Sequence, residues 1–249
     1  MGRGGMCAGV GRGVSAPWDQ FGPAYDLAPF DGTARTYLIA SSPRTGSHWL
    51  GHLFRACGDM GAPLEYLHPR HLADWGERLG TTGAAQTLWA IQRRRTSPFG
   101  WFGVKAHWAQ FAAAPGVVAV ERWMRIVRGD ALDQAISLVV AKQSRSPISF
   151  RPASGALVYD RAAITAARVR LAQDAAGWDD FFARERVTPL WIAYEDLVAR
   201  PLDALNAARA HLDLPALSTL PDGDGMPARQ ATATNALWRA RYLEETAGD

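Results

Sequence analysis

The chain has 249 residues, of which 48% are hydrophobic, and a formal net charge of +3. That length can bury a large core, and two cysteines, Cys7 and Cys57, cannot form a disulfide framework, so we expect a cytoplasmic protein. No apolar stretch approaches the roughly 18 residues of a membrane span, and no long block of like charge predicts a nucleic-acid-binding arm. The longest basic run, Arg93 to Arg95, is predicted to be the solvated end of a helix.

The first 33 residues differ in composition from the rest of the chain. This segment begins with a glycine- and arginine-rich stretch and lacks the apolar centre of a secretory signal. We therefore predict a mostly disordered tail over residues 1–33. No linker rich in serine, glycine or proline divides the remainder, so residues 34–249 are predicted to form a single domain.

Short apolar strands alternate with helical patterns along residues 34–249. The first half predicts, in chain order, a strand over 36–40, a helix from Ser47 to Cys57, a loop over 58–69, helices over 69–79 and 83–95, a strand from Trp101 to Lys105 and a helix over 106–114. The second half predicts a strand from Met124 to Val127, helices over 130–143 and 160–186, a strand over 190–197 entering a turn, and helices over 202–212 and 235–246. This alternation predicts an α/β fold with a central, mainly parallel sheet flanked by helices.

The loop SSPRTGS (residues 41–47) joins the first predicted strand to the first predicted helix. Ligands bind where the carboxyl ends of parallel strands face helix N-termini, which offer unpaired N–H groups and a partial positive charge. Arg44 adds a permanent charge, Thr45 and Ser47 add hydroxyl groups, and Gly46 lets the backbone approach a ligand closely. The pattern favours an anion site, although an ordinary strand-to-helix turn has the same outline.

A second anion site is suggested by the sequence RGDALDQAIS. Arg128 ends a predicted strand, and Ser137 follows nine residues later within a helix, so both side chains could reach one anion. The alternative is that Arg128 pairs with Asp130 and Ser137 packs within the helix. Taken alone, this alternative is favoured.

Three further positions carry groups suited to proton transfer or charge neutralisation. Lys105, one of two lysines in the chain, lies at a strand end, and His107 follows two residues later. Glu65 lies in a loop and could act as a general base. His68 and His71 lack a third metal ligand, so no metal site is expected. The chain also has no Gly-Lys dipeptide, which a kinase with a phosphate-binding loop would require.

Five ordered blocks resemble the bacterial trehalose 2-sulfotransferase-like family. They are YLIASSPRTGSHWL, GAPLEY, FGVKAHWAQ, VRGDALDQAIS and RQATATNALWRARY, and they run from Tyr37 to Tyr242. The resemblance implies a P-loop-like, three-layer α/β domain. It also implies that the sulfuryl group of 3′-phosphoadenosine-5′-phosphosulfate (PAPS) is transferred to a hydroxyl, with release of 3′,5′-ADP. A sulfuryl group in transfer carries less charge than a phosphoryl group, which fits the missing metal-binding end of the loop.

The same resemblance implies roles for individual residues. The residues implied to hold the donor are Arg44, Thr45, Gly46, Ser47, His48 and Trp49 for the 5′-phosphosulfate, Arg128 and Ser137 for the 3′-phosphate, and Arg229 beside the nucleotide. Arg44 and Lys105 would neutralise charge on the leaving phosphate. His48 replaces the small hydroxyl residue usual at its position.

Two residues compete for the role of general base. Glu65 corresponds to the proposed base of the trehalose enzyme and is ranked first. His107 is ranked second, because Lys105-Ala106-His107 resembles the Lys-x-His of cytosolic sulfotransferases, in which the histidine is the base.

The acceptor is expected to be a carbohydrate hydroxyl, with trehalose or a glycolipid head group as the leading candidate. A natural-product scaffold is the competing acceptor. Trp75, Trp101 and Trp108 could stack on a sugar face or belong to the core. A non-catalytic module that binds PAPS or 3′,5′-ADP is the alternative from another class. Family members can form homodimers, so a dimer is compatible with the resemblance.

Overall fold

A computed structural model of the protein describes residues 20–144, 156–222 and 233–247. Within these ranges, four strands form one parallel sheet in the order β2-β1-β3-β4. The strands are β1 (Arg35–Ser41), β2 (Trp101–His107), β3 (Arg122–Val127) and β4 (Leu190–Ala193). The chain leaves β1 towards one edge of the sheet and β3 towards the other, so the loops after β1 and β3 meet where ligands bind in such sheets.

The described helices surround this sheet. They are α1 (Ser47–Cys57), α2 (Pro69–Leu79), α3 (Ala84–Arg95), α4 (Trp108–Ala112), α5 (Ala131–Gln143), α6 (Arg161–Glu185), α7 (Tyr194–Ala199), α8 (Pro201–His211) and α9 (Ala233–Thr246). In the described ranges, no helix combines the length and apolarity needed to cross a membrane.

Both faces of the sheet are buried, as its parallel arrangement requires. Successive side chains of β1 point to opposite faces, so Leu38 and Ala40 join one cluster while Tyr37 and Ile39 join the other. Helices α2, α3 and α6 cover the first cluster, and α1, α7 and α8 cover the second. A third cluster joins α5, α6 and α9. Helices on both faces of a parallel sheet confirm the predicted three-layer α/β fold.

Several helix bounds agree with the sequence because their end signals are local. Helix α1 ends at Cys57, and Gly58 follows it at φ 77°, a conformation that favours glycine. Helix α2 begins at Pro69, whose fixed φ suits the first turn. Helix α6 begins after Asp160, whose side chain accepts a hydrogen bond from the Ala163 backbone N–H.

Several strand ends differ from the prediction, among them the start of β3 at Arg122 instead of Met124. Strand β2 continues to His107 rather than ending at Lys105, because residues 106 and 107 remain paired with Ala40 and Ser41 of β1. Strand β4 ends at Ala193, and the last four residues of the predicted strand over 190–197 lie in helix α7. Two acidic residues in the first turn of α7 favour that helix start through its dipole.

Part of the segment that the sequence assigns to a tail packs on the core. Residues 23–25 form a short 3₁₀ helix, and the ring of Tyr25 is buried. Asp26 forms ion pairs with Arg78 and Arg95, the latter at 3.1 Å. The predicted solvated helix end is therefore wrong for Arg95, whose side chain is fully buried, whereas Arg93 and Arg94 are exposed. Residues 1–19 lie outside the described residues.

Candidate active site

The loop after β1 is shaped by two left-handed residues. Arg44 has φ 68° and Gly46 has φ 80°. A Cβ at Gly46 would lie 2.7 Å from the Tyr194 ring, so this position excludes a side chain on two grounds. The Thr45 hydroxyl donates to the Ser42 carbonyl oxygen at 2.9 Å, which uses its only proton within the loop. The loop therefore has a fixed conformation that holds its backbone and side chains beside the N-terminus of α1.

The structure joins the two predicted anion sites into one cluster. The Nε of Arg44 donates to the Ser137 hydroxyl at 3.0 Å, and Arg128 Nη1 donates to the Arg44 carbonyl oxygen at 3.3 Å. Burial, followed by the charge of Arg128, lowers the pKa of Arg44 from its usual value. Two arginines held this closely, one in each of the loops after β1 and β3, form a cationic centre suited to a multiply charged anion.

Arg128 has two contacts besides its bond to the Arg44 carbonyl oxygen. Its Nη2 contacts the Asp133 carboxylate, and its guanidinium lies 4.5 Å from the centre of the Tyr194 ring. The predicted pairing with Asp130 is not found: Asp130 instead caps α5 through the Asp133 backbone N–H at 2.8 Å and pairs with Arg239 at 2.8 Å. The pairing was wrong because an N-cap side chain turns towards its own helix, whereas Asp133, one turn before Ser137, faces the arginine.

A second cluster surrounds Glu65. Lys105 Nζ lies 2.6 Å from Oε1 and Gln110 Nε2 donates to Oε2 at 2.7 Å, while His107 Nε2 lies 3.6 Å from Oε1. Burial has the largest single effect and opposes ionisation of Glu65, but it is exceeded by the sum of the charges of Lys105 and His107 and the bonds from Lys105 and Gln110. Together they hold the pKa of Glu65 well below its usual range. The carboxylate is therefore ionised at neutral pH.

The ring of His107 is neutral and oriented by its neighbours. Burial, only partly opposed by the charge of Glu65, lowers its pKa to about 4. The ring accepts a hydrogen bond from the Gln110 backbone N–H in a capping box, and Nδ1 lies 3.0 Å from the Ser41 hydroxyl. The Ser41 hydroxyl gives its one proton to the Ala106 carbonyl oxygen at 3.1 Å, which favours a proton on Nδ1, whereas the Gln110 backbone N–H and the carboxylate facing Nε2 favour a proton on Nε2.

His48, in the first turn of α1, is influenced by the charges of both clusters. Burial, followed by the charges of Lys105, His52 and Arg44, lowers the pKa of His48 to about 2. The negative charge of Glu65 opposes this effect only in part. The His48 ring packs at 66° to that of His52, with centroids 4.6 Å apart. The neutral ring therefore contributes no positive charge, and the charges of Lys105, Glu65 and Arg44 all act on it.

The remaining candidate residues lie in the site, in the core or outside the described residues. Ser47 is buried at the start of α1, and Trp49 packs against the cluster of aliphatic residues on the α1 face. Trp75 and Trp101 are each 1% exposed, so the idea that they stack on a sugar is wrong. Trp108 packs edge-on against Trp178, with ring centroids 5.4 Å apart. The predicted position of Arg229 lies outside the described residues.

Three contact residues were missed from the sequence. Gln110 holds Glu65, Tyr194 supports Arg128, and Asp133 binds Arg128. Asp133 could have been found, because it precedes Ser137 by four residues and so shares its helix face. Tyr194 carried no local signal, since it follows the distant edge strand. Among the described residues, no group of three or more histidine, cysteine, aspartate or glutamate side chains could hold a metal ion.

Comparisons with known proteins show which family the chain is similar to. A family model described as Stf0 sulphotransferase matches residues 111–245, more than half of the chain. Arg128 and Ser137 lie within the match, whereas Arg44, Glu65 and Lys105 precede it. No curated protein matches the chain.

Three solved structures are similar to it. One is the sulfotransferase domain from the Curacin biosynthetic pathway, with 17% identity over 79% of this chain and 81% of that chain and a TM-score of 0.49. The sulfotransferase domain from the Synechococcus PCC 7002 olefin synthase has 14% identity over 89% and 98%, with a TM-score of 0.43. A sulfotransferase from Alicyclobacillus acidocaldarius has 14% identity over 87% and 94%, with a TM-score of 0.46. Members of the matched family generally use PAPS as the sulfate donor. The chain belongs to the Stf0 sulphotransferase family and is a sulfotransferase.

Proposed function

We propose that this sulfotransferase takes the sulfuryl group from PAPS and transfers it to a carbohydrate hydroxyl, releasing 3′,5′-ADP. The observation that carries the proposal is the contact between Arg44 and Ser137, which brings the loop after β1 and helix α5 together around one cationic centre. A donor with phosphates at both ends of its ribose needs two neighbouring anion sites, and Arg44 and Arg128 supply the charges.

The donor would lie across the loops after β1 and β3. Its 5′-phosphosulfate is assigned to the backbone and side chains of the first loop and the start of α1, with the 3′-phosphate at Arg128 and Ser137. The residues proposed for the first part are Arg44, Thr45, Gly46, Ser47, His48 and Trp49. The support for this placement is the position of the loop at the N-terminus of α1, where unpaired backbone N–H groups favour an anion. Arg229 remains the proposed border of the nucleotide.

Glu65 is proposed as the general base. Its carboxylate is ionised and fixed by Lys105 and Gln110, and each oxygen keeps a further lone pair for an acceptor hydroxyl. The hydroxyl oxygen then bonds to sulfur as its proton passes to Glu65, while the bond between sulfur and the bridging phosphate oxygen breaks. Arg44 and Lys105 are proposed to stabilise charge on the leaving phosphate.

His107 is proposed as a positioning residue. We assign the proton of its neutral ring to Nε2, which leaves no lone pair on the side of Glu65 to take the acceptor proton. Its Nε2–H instead faces Glu65 Oε1 at 3.6 Å and keeps that oxygen turned towards the site. This arrangement favours Glu65 over His107 as the base.

The acceptor class rests on the family resemblance, with trehalose or a glycolipid head group proposed first. Trp75 and Trp101 are core residues and cannot offer a stacking surface to a sugar, which favours the competing acceptor, a natural-product scaffold. A panel of sugars, glycolipids and hydroxylated secondary metabolites, assayed for 3′,5′-ADP release, decides between them. Release with sugars alone supports the carbohydrate proposal, and release only with other scaffolds overturns it.

Binding without turnover is the outcome that would reassign the protein to a non-catalytic module. Calorimetry with 3′,5′-ADP measures binding independently of any acceptor. A protein that binds 3′,5′-ADP but releases none from PAPS over the whole panel would contradict the proposed reaction. A protein that binds neither nucleotide would contradict the proposed donor as well.

The organisation of the protein is also proposed from its sequence. Residues 34–249 would form a single domain, onto which residues 23–26 pack, the protein would be cytoplasmic, and a homodimer would be compatible with the family. Sedimentation of the purified chain tests the dimer, and limited proteolysis tests the domain boundary.

A further inference from the structure

The Asp133 carboxylate occupies part of the guanidinium edge by which Arg128 could bind a phosphate. A guanidinium binds a phosphate most strongly along one edge, with two parallel N–H bonds, and the Nε–Nη2 pair is such an edge. In Arg128, Nη2 contacts the Asp133 carboxylate, while Nε is buried and has no hydrogen-bond partner among the described residues. The Arg128 side chain is 9% exposed and that of Asp133 is 27% exposed.

Asp133 shares a helix face with the serine assigned to the same phosphate. It precedes Ser137 by four residues on α5, so the two side chains lie one turn apart. Ser137 contacts Arg44, and Asp133 contacts Arg128, so each arginine meets one side chain of α5. A phosphate that reaches Arg128 and Ser137 would therefore lie beside the Asp133 carboxylate.

We propose that Asp133 is an internal competitor for Arg128 that weakens binding of the 3′-phosphate and so sets the affinity for both donor and product. The inference rests on the proposed function, because it assumes that the 3′-phosphate binds at Arg128 and Ser137. While no phosphate is bound, the ion pair neutralises the buried Arg128 guanidinium. Without Asp133, burying this charge unpaired would cost free energy. A phosphate on the same edge must displace the carboxylate or lie against a like charge, and both weaken binding.

The consequence for turnover concerns product release. PAPS and 3′,5′-ADP carry the same 3′-phosphate, so a competitor weakens both equally. Release of product limits many enzymes, and a carboxylate ready to reclaim Arg128 favours that release. Asp133 thus sets the affinity of the donor site, and it has no part in the chemical step.

The test compares Asp133→Asn with the wild-type chain by calorimetry, using 3′,5′-ADP and 5′-AMP as probes. Asparagine keeps the shape, and the α5 cap uses the backbone N–H of residue 133, which the variant retains. We expect 3′,5′-ADP to bind about tenfold more tightly and 5′-AMP to change less than about twofold, because only the former carries the 3′-phosphate. Glu195→Gln is the control for a general loss of negative charge, since Glu195 is exposed and contacts the Gly129 backbone N–H instead of Arg128.

Each outcome bears on a different proposal. If wild-type protein binds 3′,5′-ADP and the variant binds it equally or more weakly, Asp133 does not compete and the inference is overturned while the proposed donor stands. An equal gain for 5′-AMP, or for the Glu195 control, also overturns it, because the effect would then be general electrostatics. If neither protein binds 3′,5′-ADP, the proposed donor fails together with the inference. Asp133→Ala serves in the same comparison if the asparagine variant is unstable.

Discussion

Removing the charge of Glu65 should abolish most of the turnover while keeping the donor site. Glu65→Gln preserves the size of the side chain but replaces the proton-accepting carboxylate with an amide. General base catalysis contributes about 10²–10⁴-fold, so kcat should fall by about 10²-fold or more, which corresponds to at least about 2.7 kcal/mol of barrier. Affinity for 3′,5′-ADP should be kept, since loss of a negative charge cannot weaken binding of an anion.

Stability must be measured alongside activity, because the same change leaves Lys105 without its ion partner. The Lys105 side chain is 3% exposed and lies 2.6 Å from Glu65. Breaking a buried pair by removing one partner costs about 3–5 kcal/mol, and the partial exposure of Glu65 favours the lower end. Thermal unfolding and 3′,5′-ADP calorimetry on the variant establish that the loss of kcat comes from folded protein.

His107→Gln is the matched comparison. It removes the ring at 3.6 Å from Glu65 but leaves the carboxylate and its bonds from Lys105 and Gln110. We expect a smaller fall in kcat, about tenfold, because positioning alone is lost. The 3′,5′-ADP release assay with the best acceptor of the panel gives both values. Near-wild-type turnover in Glu65→Gln, together with a 10²-fold fall in His107→Gln, would refute the reasoning and assign the base to His107.

Three further predictions concern residues of the proposed donor site. Gly46→Ala should weaken 3′,5′-ADP binding at least tenfold and destabilise the protein more than Gly58→Ala; both have positive φ, but only a Cβ at Gly46 meets a ring, at 2.7 Å. Equal effects would show that φ alone is responsible. Ser137→Ala should raise the Kd of 3′,5′-ADP about tenfold and leave that of 5′-AMP nearly unchanged; equal loss for both nucleotides would remove the serine from the 3′-phosphate site. His48 should destabilise the fold in acid, because its pKa is lowered from 6.5 to about 2: its contribution is complete above 6.5 and is lost as pH falls towards 2. Between pH 7.5 and 5.5 this amounts to about 1.4 kcal/mol, and His48→Asn should show a correspondingly shallower fall in stability by chemical denaturation.

Local signals explain the parts of the fold that could be predicted. Gly58 and Pro69 fixed helix bounds because a left-handed residue and a fixed φ act within one turn. The end of β2 could not be predicted, since it depends on pairing with β1 across more than sixty residues of chain. The burial of Arg95 was hidden for the same reason, because its partner Asp26 lies in a segment whose composition suggested a tail.

The candidate site shows the same division between local and distant information. Arg44, Ser137 and Arg128 could be named because each belongs to a short motif, but the sequence did not show that they would share one cluster. The partner of Arg128 was predicted one helical turn too early, because Asp130 looked equally close along the chain. The neutral state of His107 depends on burial, which no spacing reveals.

The ring of Tyr194 links substitutions at positions that are far apart in the chain. It excludes a side chain at residue 46 and lies against the guanidinium of Arg128. A smaller residue at 194 would make room for alanine at 46 but would remove the ring from Arg128. Relatives without glycine at the position of Gly46 should therefore also differ at position 194. In those relatives, another group should contact the arginine at position 128. An alignment of relatives would show this as correlated variation across about 150 residues of sequence.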